Sequence, residues 1–208
     1  AERRAPLLAV RTDAAWDVGD DADHVEALME ISVSRGPADR VDLTVPPAAD
    51  RLSVRGPDVR SVRRDGAAAT VFLRGAVAGK TAFRVSFDAP GGGAGARTFP
   101  RPGVSGAAER GGIVAVSKSA GGILLENPSP GTEPLALVDL PAAVAALARG
   151  PILIARRASS GPPRADVDLV AAGEFPVRRT LIETMRATVV RTADGASMIR
   201  TVCDVLND

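Results

Sequence analysis

Between Val25 and Ser34 the chain alternates: Val25, Ala27, Met29, Ile31 and Val33 are apolar, while Glu26, Glu30, Ser32 and Ser34 are polar, and only Leu28 breaks the outward side. A two-residue period puts every second side chain on one face, so the stretch reads as a half-buried strand and not as an amphipathic helix. The same pattern returns at Val41, Leu43 and Val45, and again at Phe83, Val85 and Phe87. Turn chemistry separates these runs. Arg35–Arg40 holds Gly36-Pro37 and is expected to reverse the chain, Pro46-Pro47 ends the next strand, and Asp65-Gly66 is a hairpin signal. Strands broken by turns every 8 to 12 residues or so predict a β-sandwich. A parallel α/β fold would need helical crossovers of about a dozen residues, and residues 25–88 offer none. The expected class is all-β, mainly an antiparallel, immunoglobulin-like β-sandwich.

Beyond this region the pattern becomes mixed. Residues 89–112 are rich in glycine and proline and read as a loop or linker. The expected organisation is therefore a β-sandwich module over 1–90, a linker over 91–112, and a second β-rich region over 113–208. Within that region Pro141–Arg149 predicts one short helix, with proline at its start and Gly150-Pro151 as its stop. The last hairpin is expected from Ala187–Arg191 through Ala193-Asp194-Gly195 to a strand alternating Ile199, Thr201, Cys203 and Val205. It resembles the opening strands of a further module, which would place this chain within a longer protein. Ala1 likewise suggests a processed precursor whose signal or anchor lies outside the sequence.

Composition narrows the function classes. A net charge of +1 gives no field for nucleic acid or an anionic membrane. With five Phe, one Trp and no Tyr, the chain has few faces for stacking sugars or bases. No apolar run reaches the ~20 residues that span a bilayer. The sole cysteine, Cys203, excludes a disulfide scaffold and is expected to be a small buried side chain. Gly75, Gly79, Lys80 and Thr81 imitate a phosphate loop, but the spacing is one residue short and a strand follows where a helix is needed. The expectation there is a hairpin turn and no bound cofactor. His24 is the single histidine and lacks a serine in a nucleophile-elbow context. Asp17, Asp20, Asp21 and Asp23 are weak candidates for calcium, since their spacing matches no EF-hand loop. Trp16 reads either as a plug at the end of the sandwich or as an anchor at a protein interface. The arginine doublets Arg63-Arg64, Arg156-Arg157 and Arg178-Arg179 read as solvent-facing or salt-paired.

Over residues 140–207, Leu140-Pro141, Arg156-Arg157, Thr188-Val189-Val190, Asp194-Gly195, Arg200 and Asn207 carry a resemblance. The stretch resembles segments of large bacterial cell-envelope proteins that string β-sandwich modules together, with Arg157 where those segments carry an aromatic residue. The resemblance implies an extracytoplasmic location, in periplasm or cell envelope, and a structural or interaction role without catalytic residues. The leading expectation is thus a non-enzymatic scaffold or protein-interaction module, acting through sheet edges such as Thr81–Asp88 and Thr188–Asn207. A carbohydrate- or calcium-binding module is the alternative, and a hydrolase the third reading.

Overall fold

The computed structural model describes residues 5–171, 180–191 and 197–207. The chain divides into two compact units, Ala1–Ala171 and Ala172–Asp208. The first is all-β, built mainly from antiparallel strands, and sandwich-like: a large sheet and a three-stranded sheet share one core.

The large sheet is organised around two 23-residue strands, β2 (Ala22–Thr44) and β5 (Ala68–Pro90), which pair antiparallel along both of their halves. Alternation in β2 behaves as the sequence predicts: Val25, Ala27, Met29, Ile31 and Val33 are buried, as are Phe83, Val85 and Phe87 opposite them on β5. Arg35–Arg40 does not reverse the chain. Arg35 (φ 61) and Gly36 (φ 155) absorb a bulge, the register shifts there, and the strand runs on to Thr44. Gly75–Thr81 likewise lies inside β5 rather than in a hairpin turn. Between the two long strands come β3 (Asp50–Arg55) and β4 (Val59–Asp65), both antiparallel to β5. The β4–β5 turn is the expected one, with Gly66 at φ 59 in a two-residue loop.

The segment 91–112, expected as a loop or linker, is woven into the fold. It contributes β6 (Gly95–Thr98), β7 (Gly103–Val104) and the first half of β8 (Ala108–Lys118). Strand β8 lies parallel to β1 (Leu7–Val18), which is itself antiparallel to β2. The other edge of β8 pairs with β11 (Ile152–Ala158), and β11 pairs with β10 (Glu133–Pro134). The parallel pair was not expected, because its connection is the intervening sheet and not a helical crossover. The small sheet has the order β6, β12 (Asp166–Val170), β9 (Ile123–Asn127).

Burial follows from this layout. Val10, Trp16, Val114 and Val116 from the large sheet meet Phe99, Val167 and Leu169 in one cluster. The opposite face of β8 is also covered, as Ile113 and Ala115 join Leu135, Val144 and Ala155 in a second cluster. The central part of β8 is therefore buried on both faces, which is why residues 113–116 are a continuous apolar run without alternation. Val144 belongs to the helix α1 (Ala142–Ala145), shorter than the expected 141–149. After Ala146 the hydrogen bonds become three-residue turns, and only Val144 and Leu147 of this segment are buried. The second unit is a hairpin of β13 (Thr180–Arg191) and β14 (Ser197–Asn207), its first strand beginning earlier than expected. The turn residues Ala193-Asp194-Gly195 and the doublet Arg178-Arg179 lie outside the described residues.

Gly112 sits where β8 meets β1. Its φ is +147, and a Cβ there would stand 1.7 Å from the carbonyl oxygen of Thr12. Gly112→Ala should destabilise unit 1 by at least about 2 kcal/mol in urea unfolding. Gly150→Ala, with nothing within 4 Å, should stay within about 0.5 kcal/mol of the parent.

Candidate functional site

The acidic residues expected as weak calcium ligands are spread across separate tasks. Asp17 accepts hydrogen bonds from the hydroxyls of Ser117 (2.9 Å) and Ser119 (2.6 Å), tying β1 to β8 and its following turn. Asp20 accepts from the Gly121 amide. Asp23 accepts from the Gly19 amide and from Arg97. Among the described residues no three histidine, cysteine or acidic side chains are grouped so as to hold a metal ion.

Asp23 and Arg97 form the most buried ion pair described, 2.6 Å apart with side chains 6% and 7% exposed. Arg97 also donates to the carbonyls of Gly19 (2.7 Å) and Gly93. The pair joins β2 of the large sheet to β6 of the small one. Burial raises the pKa of Asp23 above its ordinary value, and this outweighs the lowering by Arg97, the Gly19 amide and the nearby Trp16 indole. Trp16 Nε1 completes no well-formed hydrogen bond in spite of its nearness.

Trp16 itself is fully buried, its ring tilted against Phe99 at 6.0 Å. It presents no surface to a partner, so the interface role expected for it is corrected. A large apolar ring near the start of the chain found its neighbours inside the core.

His24 lies across from Asp88 on β5. Its Nδ1 donates to Asp88 Oδ1 over 2.6 Å, and Arg51 of β3 reaches the other carboxylate oxygen at 3.3 Å. Asp88 and Arg51 line an open cleft of about 220 Å³ with Asp50, Ala22, Ala48, Ala89 and Pro90. No hydroxyl or thiol lines that cleft, so the cluster as built ties three strands together. Residue spacing could not have found Asp88, which meets His24 only through the β2–β5 register. Arg156 is the one member of its doublet that turns inward, held by Glu126 (2.6 Å) and by the hydroxyl and carbonyl of Thr132. Cys203 is exposed, not buried as expected.

Exposed apolar side chains gather on the β13–β14 hairpin. Val189 faces Ile199, Ala187 faces Thr201 and Met185 faces Cys203. Alternate residues share a face, so these six form one row, apolar except for Thr201, and Val189 and Ile199 are 62% and 66% exposed. No known family description matches the chain, and no curated protein matches it. No described helix is long and apolar enough to cross a membrane.

A carboxyl whose folded pKa is raised adds stability below its unfolded pKa and loses it as pH rises through the folded value. Asp23→Asn should be destabilising at every pH, by roughly 3 to 5 kcal/mol, because it strands Arg97. The deficit should shrink from pH ~3.5 to pH ~7, measured by denaturant unfolding of both proteins. A deficit that widens with pH would mean that the attraction of Arg97 outweighs burial.

Proposed function

We propose that the chain is a non-enzymatic, immunoglobulin-like β-sandwich module that acts outside the cytoplasm, as a scaffold or protein-interaction part of a larger envelope assembly. The observation that carries this reading is the apolar row of the hairpin. A two-stranded hairpin is marginal alone in water and needs a third strand or a packed face. The row Val189/Ile199, Ala187/Thr201, Met185/Cys203 repeats the inward rows of the β1–β2 hairpin, Trp16/Val25, Ala14/Ala27 and Thr12/Met29. In β1–β2 those rows are buried. The hairpin thus has the pattern of a sandwich's opening strands, which supports the resemblance to arrayed envelope modules. The surface that suits it is the inner face of another β-sheet.

A photo-crosslinking residue in place of Val189 or Ile199 should give one discrete protein adduct in intact cells of the source organism. The same residue in place of Val138, exposed in unit 1, should give none. Met185→Asp should abolish the adducts. No adduct, or an equal yield from position 138, would contradict the reading, and recovery of the protein in the cytoplasmic fraction would remove its location.

A further inference from the structure

The outer face of unit 1 holds a concentration of positive charge that the ion pairs leave untouched. On β5, Phe72 is half-buried and lies opposite Arg40 of β2. On its other side, the guanidinium carbon of Arg60 of β4 stands 5.9 Å from the Phe72 ring centroid. Arg74 follows two residues along β5, exposed like Arg40 and Arg60, and its amide is anchored to the Asp58 carbonyl at 2.8 Å. These four side chains and Asp39 line a cleft of about 340 Å³. A neighbouring cleft of about 450 Å³ shares Asp39 and Arg40 and continues towards Leu8 and Pro37.

The ion pairs found among the described residues employ Arg11, Arg51, Arg84, Arg97, Arg101 and Arg156. Arg40, Arg60 and Arg74 are absent from that set. Three guanidinium groups thus gather around the Asp39 carboxylate, with Asp42 the next carboxylate in the adjoining cleft. Grouping like charges costs free energy unless a counter-charge occupies the space between them. Arginine's planar fork matches the oxygens of phosphate and carboxylate in pairs. Cation–π contact with Phe72 holds Arg60 in place before a ligand arrives, which reduces the entropy lost on binding. The cleft sits at the register break between the Ala38–Val77 and Arg40–Phe72 pairs of β2 and β5.

We propose that this cleft binds a dianionic phosphoryl group, with its three arginines as ligands and the adjoining cleft receiving whatever the phosphoryl group is attached to. Three guanidinium forks match the three oxygens of a phosphoryl group, whereas a carboxylate offers only two. A nucleic-acid strand fits poorly, because the positive charge is confined to one cleft and Phe72 is the one ring lining it.

The test is calorimetric titration of the whole chain at fixed ionic strength with inorganic phosphate, glycerol phosphate and acetate. Saturable one-to-one binding is expected for both phosphates and not for acetate. Tighter binding of glycerol phosphate would identify a phosphate ester as the source, and equal binding the free ion. Affinity should rise between pH 5.5 and 7.5, as the phosphoryl group loses its second proton near pH ~6. Arg40→Gln and Arg74→Gln remove exposed side chains and should keep the parent's unfolding temperature, while each weakens binding by about tenfold or more. Arg55→Gln, outside the cleft, should bind as the parent does. Binding that fails to saturate, or that survives in both cleft variants, or that acetate matches, would overturn the proposal.

Discussion

Strand β8 lies between β1 and β11 with both faces covered, and the rest of unit 1 depends on that placement. Its Val114 and Val116 enter the core shared with the small sheet, while Ile113 and Ala115 are roofed by Val144 and Leu135. Each large apolar side chain hidden in this way contributes roughly 1.5 to 3 kcal/mol. The parallel contact with β1 brings a strand about a hundred residues later in sequence beside the start of the chain. Residues 91–107 are thereby held within the fold. The close approach at Gly112 is the local condition for this pairing, since any side chain there would meet the backbone of β1.

Charge fixes what apolar burial leaves loose. A three-stranded sheet could slide on a flat apolar face. Arg97 prevents it by placing its guanidinium among the Asp23 carboxylate and the Gly19 and Gly93 carbonyls. Arg156 does the same between β11 and β9 through Glu126 and Thr132. Buried pairs of this kind add little net stability, because desolvation opposes their attraction. Their effect is positional, and the raised pKa of Asp23 expresses that cost.

The features of the fold legible in the sequence are those governed by local period. Alternation identified the buried residues of β2 and of the last third of β5, and Asp65-Gly66 marked a real turn. The failures share one cause, which is that distant pairing overrode local chemistry. Gly36-Pro37 carries the signal of a turn, yet the long partner strand β5 holds that segment extended through a bulge. The glycines and prolines of 91–112 look like a linker because the strands there are short and one glycine is a packing necessity. Of the two readings of Trp16, the surface anchor fails because the ring has Phe99 to pack against inside the core, and Cys203, expected to be buried, is exposed on a hairpin strand. The His24–Asp88–Arg51 cluster and the arginine cleft come from three strands each. Neither has a signature in linear spacing.

Unit 1 has a buried core of its own, whereas Val189 and Ile199 of the unit 2 hairpin are exposed, and the proposed interacting role rests on that contrast. Native-state hydrogen exchange on the isolated chain tests both statements together. The amides of β1, β2, β5 and β8 should exchange through a single global opening with one common free energy, and those of β13 and β14 should exchange far faster. Protection of β8 at a level separate from β2 and β5, or a hairpin as protected as β1, would contradict the account.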